Sequence, residues 1–219
     1  MKIPDYIEVK NKAGKRTALL SPKTDGLKNV YAENRLNGES AIEFMLPVTS
    51  GKVKELTPEC QIWAAGRVYS LLREQATDVI RDEKGAIWYK FMANERFIEL
   101  DVMFPEPYIS NDPNIPIPME LETIIVSGGS DLSGGRFAVG SAAHALYAVL
   151  NGSGWSVGTV DVTGTHDLET EKESRLSLVK AIQQKWGGYL LFDSVNRVVH
   201  LRDGGKWKNY TGFQIRYAK

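Results

Sequence analysis

The chain has 219 residues, of which 42% are apolar and 25% charged, and its 27 basic side chains balance its 27 acidic ones. This length fits one large domain or two small ones, and a net charge of zero without a basic tract argues against nucleic-acid binding by a charged face. The sequence has no apolar run long enough to cross a bilayer and no signal-peptide pattern at its start, and one cysteine excludes an internal disulfide and a thiolate metal cage.

The first hundred residues predict antiparallel hairpins, because short apolar stretches flank residue pairs that favour tight turns. In Glu39–Leu46 the apolar residues alternate with the period of a strand that has one buried face. The predicted hairpins are Val30–Leu36 with Glu39–Leu46 across Asn37-Gly38, Ile62–Ala64 with Arg67–Leu72 across Ala65-Gly66, and Val79–Arg81 with Ile87–Met92 across Asp82–Gly85. We expect residues 1–103 to form an antiparallel barrel or sandwich built from these hairpins, and of the two we favour a barrel-like domain.

The middle of the chain predicts a connector. Phe104–Pro118 contains five of the nine prolines, which remove hydrogen-bond donors and exclude a central strand. We therefore assign residues 104–120 to an extended connector. Leu121–Val126 then predicts a short strand, and the five glycines of Ser127–Gly140 predict an exposed, mobile loop.

Residues 121–219 predict a small α+β domain with two helices and a hairpin. The first helix is Ser141–Leu150, with Ser141 as N-cap and Asn151-Gly152 as stop. The second is Glu171–Trp186, which has one apolar stripe. The stripe consists of Leu176, Val179, Ile182 and Trp186. The remaining predicted strands are Tyr189–Phe192, Arg197–Leu201 and Phe213–Tyr217, the first two joined across Asp193–Asn196. The fold class expected for the whole chain is α+β and β-rich.

A hydrolase needs a nucleophile, a base and an orienting group. Gly128–Gly135 offers Ser130 and Ser133, but not on a strand-to-helix elbow, and Gly-x-Ser-x-Gly is absent. A flexible loop is the favoured interpretation. A phosphate-binding loop is absent, and no Gly-x-Gly-x-x-Gly follows a predicted strand.

The histidines lack the spacing of a His-Glu-x-x-His metal site. We interpret His144 as part of a helix's packing or polar face, His166 as solvated beside Asp167 in a polar loop, and His200 as lying on the wet face of a strand. Cys60 is expected to be a small buried hydrophobe rather than a nucleophile.

The carboxylates are scattered along the chain. The sequence alone does not show whether Glu120, Glu122 and Asp131 lie close together in the fold. The run Glu169–Glu173 is interpreted as the acidic first turn of a helix. We therefore expect no catalytic residue, metal ligand or cofactor site.

The five tryptophans raise the alternative of a sugar-binding surface. They are Trp63, Trp88, Trp155, Trp186 and Trp207. Each has the spacing of a core residue, so burial is favoured over stacking on carbohydrate.

The segment from Phe137 to Tyr217 carries a pattern of helix, "LNGSGWSVG", acidic linker, amphipathic helix, "WGGYLLFDSVNRVVHL", "DGG" and "QIRYAK". This pattern resembles the amino-terminal region of siphophage tail-tip proteins, the prophage tail or tail-associated-lysin family. The positions that carry it are Leu146, Leu150, Ser153, Gly154, Trp155, Leu176, Ile182, Trp186, Gly187, Gly188, Phe192, Asp193 and Val199. The hairpin "AAGRVYSLLREQ" at Ala64–Gln75 adds a looser similarity. Ser153 stands where the family often has Thr, and Tyr189 where it often has Glu. The glycines allow tight reversals of the chain. We therefore expect Trp155 to be buried in a packing corner, a tight turn between the first helix and the following strand, rather than to line a ligand-binding loop.

The resemblance implies a structural role in a baseplate hub that closes the tail tube and connects it to distal host-binding parts. It implies a homotrimer with a distal tail protein and a tape-measure protein as partners, non-specific contact with passing phage DNA, no membrane binding, and a place in the virion after synthesis in the host cytoplasm. We hypothesise that Tyr31, Phe44 and their neighbours line the ring interface, which hides sheet edges. Any hydrolase activity is expected in a carboxy-terminal extension. Because the chain ends at Tyr217-Ala218-Lys219, within the family pattern, we expect a fragment or a short version without that extension.

Two alternatives stay open. The first is a peptidoglycan-directed endopeptidase, which would have to use His144, His166, Ser130 and Cys60. The second is a cell-wall carbohydrate-binding module using Trp88 or Trp207.

Overall fold

The computed structural model describes residues 6–33, 37, 40–71, 78–103, 126–127, 134–171 and 173–205. The chain divides into two compact units, one of Met1–Glu99 with Asp193–Asn196 and one of Leu100–Phe192 with Arg197–Lys219. The domain boundaries predicted from the sequence stay predictions, and the connector 104–120 lies outside the described residues.

The first unit is built on an eight-stranded sheet. Its strands are β1 (Ile7–Lys10), β2 (Arg16–Leu20), β3 (Lys28–Glu33), β4 (Ala41–Pro47), β5 (Gln61–Ala64), β6 (Arg67–Ser70), β7 (Asp78–Arg81) and β8 (Ile87–Glu95), and a short helix α1 (Pro22–Asp25) follows β2. The strand order is β2-β1-β5-β6-β8-β4-β3, and β7 pairs with β8 beside β6. All these pairings are antiparallel.

This sheet is open, so the predicted barrel is wrong. β2 and β3 lie at opposite ends of the strand order, whereas a barrel needs hydrogen bonds that close the sheet on itself. The Leu19 carbonyl on β2 instead accepts a hydrogen bond from Lys52 Nζ at 2.7 Å. β3 is bulged between Lys28 and Tyr31, where Asn29 has a φ of 52°. Lysines and bulges both protect sheet edges from further pairing.

The second and third predicted hairpins are confirmed, and β3 pairs antiparallel with β4 as the first predicts, although most of its turn lies outside the described residues. At the second, Ala65 and Gly66 have φ values of 51° and 75°, as a two-residue type I′ turn requires. At the third, the Gly85 N–H donates to the Asp82 carbonyl at 2.9 Å, and Gly85 has a φ of 82°. Turn chemistry therefore sets the pairing of β5 with β6 and of β7 with β8.

One face of the sheet forms the core of the first unit. The fully buried aliphatic residues there are Ile7, Val9, Leu20, Ile42, Leu46 and Ile62. Phe44 is also fully buried and stacks on Phe91 with ring centroids 5.3 Å apart. Phe44 is therefore unavailable to line a subunit interface, whereas Tyr31 on the opposite face is 62% exposed.

The second unit contains two helices and two three-stranded sheets in its described residues. The elements are β9 (Val126–Ser127), β10 (Gly134–Ser141), α2 (Ala142–Leu150), β11 (Ser156–Val160), β12 (Thr165–Glu171), α3 (Arg175–Trp186), β13 (Tyr189–Asp193) and β14 (Val198–Arg202). One sheet has the order β12-β10-β9 and the other β11-β14-β13. β11 runs parallel to β14, and β10 pairs antiparallel with both β12 and β9. The expected β-rich α+β class is confirmed.

Helix α2 begins and ends as predicted, with the Ser141 side chain as N-cap. Helix α3 begins later than predicted, because Ser174 caps it through the Ser177 N–H. The segment Thr165–Glu171 pairs as a strand with β10. The interpretations of Glu169–Glu173 as a helical turn and of His166 as a loop residue are therefore wrong, and so is the mobile loop over Gly134–Gly140.

The remaining predicted strands, Leu121–Val126 except its last residue and Phe213–Tyr217, lie outside the described residues. No helix in the described part of the chain is both long and apolar enough to cross a membrane.

Candidate functional site

The motif residues of the second unit form a packing corner at the end of α2. Trp155 is 5% exposed, and its ring meets Phe192 edge to face at 6.3 Å. The Ser153 hydroxyl donates to the Leu150 carbonyl at 2.5 Å and accepts from the Trp155 N–H at 3.0 Å. Gly154 has a φ of 77°. The chain thus reverses in a hydrogen-bonded turn that buries the indole, in agreement with the prediction for Trp155.

A second corner lies at the end of α3. Trp186 is buried, donates from Nε1 to the Gly164 carbonyl at 3.2 Å, and meets the His166 ring at 5.3 Å. Gly188 has a φ of 85°, and a Cβ there would lie 2.7 Å from the Arg202 carbonyl oxygen. Backbone packs against backbone at this position, so a side chain is excluded.

Arg175 is a central residue that sequence reasoning missed. It is 4% exposed at the start of α3, and its Nη1 donates to the carbonyls of Val149, at 2.6 Å, and Asn151. These carbonyls end α2, where a cation is favoured by the helix dipole. No sequence pattern distinguishes this buried arginine from a solvated one.

The surroundings of the three histidines indicate a structural role for each. His144 lies on α2 and is half-buried, His166 packs on Trp186, and His200 Nδ1 on β14 accepts the Thr159 N–H at 2.9 Å. Within the described ranges, no group of three or more His, Cys, Asp or Glu side chains is placed to hold a metal.

Cys60 is buried in the first unit, and burial raises the pKa of its thiol to about 11. The thiolate needed for nucleophilic attack is therefore scarce at neutral pH. The other candidates for chemistry or sugar binding lie outside the described residues. They are Glu120, Glu122, Ser130, Asp131, Ser133 and Trp207.

Two half-buried tryptophans of the first unit are covered by lysines. Lys10 Nζ lies 3.5 Å from the ring centroid of Trp63, and Lys28 Nζ lies 3.3 Å from that of Trp88. A sugar that stacks on an indole needs an open ring face. One face of each ring is already occupied, which disfavours Trp63 and Trp88 as carbohydrate platforms.

The outer face of β3, β4 and β8 carries charges that neutralise one another. Lys90 Nζ lies 2.8 Å from Glu43 Oε2, and this hydrogen-bonded carboxylate raises the pKa of Lys90. A hydrogen bond from Trp88 Nε1 lowers the pKa of Asp82. A shallow cavity of about 260 Å³ lies on this face. Its lining residues are Asn29, Glu43, Phe44, Met45, Ile80 and Lys90. Among its described residues, this face has neither a nucleophile–base pair nor an excess of one charge.

In the first unit the buried carboxylate of Glu95 pairs with the partly exposed side chain of Arg67. Glu95 is 1% exposed, and both its carboxylate oxygens lie 2.7 Å from Arg67 Nη1. Burial, together with the Glu95 charge, raises the pKa of the neighbouring Tyr69 to about 12. Such groups stabilise one arrangement of the strands but offer no accessible acid or base.

Comparison with known proteins finds a family model that matches part of the chain. Residues 135–201 match the family model described as "Prophage endopeptidase tail domain", which confirms the resemblance drawn from the motifs in this segment. No curated protein is significantly similar to the chain in sequence.

Solved structures of tail proteins also match the chain. Prophage tail protein gp18 from Listeria monocytogenes EGD-e superposes with a TM-score of 0.59 at 13% identity, over 98% of this chain and 54% of that one. A tail protein from Neisseria meningitidis MC58 gives a TM-score of 0.49 at 9% identity, over 91% of this chain and 51% of that one. The chain therefore spans about half the length of both proteins.

Proposed function

We propose that this chain is a structural component of a phage or prophage tail, located in the hub at the tail tip. The match of residues 135–201 to a prophage tail domain carries the proposal. The likeness in fold to a Listeria prophage tail protein supports it. In this role the chain closes the tail tube, connects it to host-binding parts, and contacts a distal tail protein and a tape-measure protein.

The contacts of the motif residues support a scaffold role. Trp155, Trp186 and Gly188 act through packing, and Arg175 acts by capping a helix. None of them presents a reactive atom to an open cleft. A scaffold needs such residues to fix element positions, whereas an enzyme also needs an aligned nucleophile and base.

Immunogold microscopy on purified phage particles tests the tail location. Antibodies raised against the chain are expected to label one end of the tail. Particles that carry the intact gene product but label only on the capsid, or particles that lack the protein altogether, would contradict the proposal.

The family description contains the word endopeptidase, so an endopeptidase is the second candidate. Purified chain incubated with peptidoglycan is expected to release no new amino groups, because the Cys60 thiol is buried, His166 packs on Trp186, and His200 accepts a backbone N–H. Release that is lost in His166→Ala and kept in the exposed-site control Tyr31→Ala would establish the enzyme instead.

A further inference from the structure

The parallel pairing of β11 with β14 contains a bulge at which a side chain accepts a backbone hydrogen bond. The register of the two strands shifts between Val157 and Val160. A bulge leaves a residue of the bulged strand out of the regular ladder. At this position the Thr159 N–H donates to Nδ1 of the His200 ring at 2.9 Å. The imidazole therefore takes part in joining the two strands.

Glycine at position 158 makes room for this ring. A Cβ on Gly158 would lie 2.5 Å from both Cε1 and Nδ1 of His200, and 2.6 Å from Val198 Cγ1. Side-chain atoms essentially never approach so closely, so the imidazole occupies the space that a side chain on Gly158 would fill. This close approach holds the accepting nitrogen beside the bulge.

The hydrogen bond requires a neutral imidazole. A ring nitrogen accepts an N–H only through a free lone pair, so the proton of the neutral His200 ring lies on Nε2. A protonated imidazole carries an N–H on both nitrogens and has no acceptor left. Protonation of His200 would therefore set two N–H groups against each other at the bulge.

The charges beside the ring on β11 and β14 compensate one another. Because Val199 and Leu201 are fully buried, alternation along β14 places His200 and Arg202 together on the other face of the sheet. Arg202 Nε lies 2.8 Å from Oδ2 of Asp161, which follows β11. This ion pair supplies no net negative charge that would favour a protonated imidazole.

The other neighbour of β14 is β13. Alternation about the buried Leu190 places Tyr189 and Asp193 on the face that carries the imidazole. A tyrosine side chain has no charge near neutral pH. The Asp193 carboxylate accepts hydrogen bonds from the backbone N–H groups of Val195 and Asn196, both at 3.0 Å. The carboxylate of β13 is thus engaged within its own turn.

We propose that this junction is acid-sensitive: protonation of His200 ends the hydrogen bond at the bulge and weakens the pairing of β11 with β14. Two backbone bonds flank the bulge. The Ser156 N–H donates to the Arg197 carbonyl at 2.9 Å, and the Asp161 N–H donates to the Leu201 carbonyl at 3.1 Å. We expect the weakening to be greatest between them, in residues 156–161. This inference does not depend on the tail role.

The direction of the pH effect follows from proton linkage. In an unfolded chain a histidine takes up a proton near pH 6.5, whereas in the folded chain this proton costs the bond to Thr159. The unfolded chain therefore binds more protons in this range, and stability rises with pH. The contribution of His200 is fully present above about pH 7.5 and is lost as the pH falls below about 6.5.

Nuclear magnetic resonance on the full chain tests the hydrogen bond directly, because nitrogen chemical shifts distinguish the two neutral forms of a histidine ring. At pH 7.5 we expect the His200 proton on Nε2. As the pH is lowered, the Thr159 amide signal should shift together with the ring signals. A proton on Nδ1 at pH 7.5, or a Thr159 amide that does not respond when the ring becomes protonated, would overturn the proposal.

Hydrogen exchange at pH 7.5 and 5.5, corrected for intrinsic exchange rates, tests the consequence. Protection of residues 156–161 is expected to be about three- to tenfold lower at pH 5.5, the equivalent of one hydrogen bond. His200→Asn offers an acceptor oxygen that does not titrate, so this pH difference should disappear. The control His166→Asn removes a histidine of β12 and should keep the difference. No pH difference in the natural chain, or one that persists in His200→Asn, contradicts the proposal.

Discussion

The two glycines after Trp186 look equivalent in sequence but differ in their surroundings. Both have positive φ, yet a Cβ on Gly187 meets nothing within 4 Å, whereas one on Gly188 lies 2.6 Å from Val162 Cγ1 and 2.7 Å from the Arg202 carbonyl oxygen. We expect Gly187→Ala to lower the free energy of unfolding by about 1–3 kcal/mol through backbone strain, because its φ of 78° and ψ of −167° are essentially restricted to glycine, and Gly188→Ala to lower it further because of the added clash. Urea denaturation of the two variants measures the difference. Equal losses would mean that the tight approach at Gly188 is absent.

Ionisation of Tyr69 is expected to lower the stability of the first unit at alkaline pH. It is fully buried, and its hydroxyl has no hydrogen-bond partner among the described residues. Burial and the Glu95 charge raise its pKa from 10.0 to about 12. Below pH 10 the hydroxyl is protonated in both states. Between pH 10 and 12 the unfolded chain releases this proton first, so stability falls as the pH rises.

We therefore expect Tyr69→Phe to remove about 1–2 kcal/mol of alkaline destabilisation. At neutral pH the variant should be as stable as the natural chain or more so, because it deletes a buried polar group. Chemical denaturation at pH 8, 10 and 11 follows the difference. Tyr31→Phe is the control, since Tyr31 is 62% exposed. A large loss of stability at pH 8 for Tyr69→Phe would reveal a hydrogen bond at that hydroxyl.

Single residues were predictable where a local pattern constrains them. The burial of Trp155, Trp186 and Cys60 followed from their apolar neighbours and from the turns beside them. The burial of Arg175 did not, because its partners Val149 and Asn151 are main-chain carbonyls more than twenty residues away. Every residue has a main-chain carbonyl, so residue types do not reveal which carbonyls will accept a hydrogen bond from an arginine.

At the scale of elements, the β5–β6 hairpin has a turn that its sequence does not optimise. Ala65 has a φ of 51°, which is unfavourable for a residue with a Cβ. Ala65→Asn is expected to raise the free energy of unfolding by about 0.5–1 kcal/mol, because Asn-Gly favours a type I′ turn. Thermal unfolding compares it with Ala86→Asn, at a position outside the positive-φ set. A gain for Ala86→Asn and none for Ala65→Asn would rule out the turn as the cause.

Elements with strong local signals were predicted well and the others were not. The hairpins and α2 are fixed by turn residues and by an N-cap. β12 was missed because "THDLETE" has the acidic composition of a helix start, and its strand conformation depends on pairing with β10. The candidate Ser141 cap and the missed Ser174 cap show that a cap is evident only where the helix boundary is already clear.

At the scale of the molecule, local sequence signals do not determine whether a sheet closes into a barrel. The predicted strands of residues 1–103 are present where the structure describes them. Whether they form a barrel or an open sheet depends on which strands lie at the two ends of the strand order. β1 and β2, which include one of these ends, precede the first predicted hairpin. The proposed function rests on the motif in Phe137–Tyr217 and on the family match of residues 135–201, rather than on the sheet. The residues that carry this resemblance, such as Trp155 and Trp186, act through packing, which explains why a catalytic site was not predicted.

The first unit is completed by residues far along the chain, and this gives a test of its composition. Ser194 is 2% exposed, and its Oγ accepts the Val68 N–H at 3.1 Å across 126 residues of sequence. Ser194→Ala leaves a buried backbone N–H without its acceptor, so we expect a loss of about 1–3 kcal/mol in urea denaturation. Ser156→Ala, at an exposed serine, should change stability by less than about 0.5 kcal/mol.

A chain truncated after Met103 lacks Asp193–Asn196 entirely and should unfold at a lower urea concentration than the full chain. Equal stability of the truncated and full chains would show that Asp193–Asn196 contributes nothing to this unit.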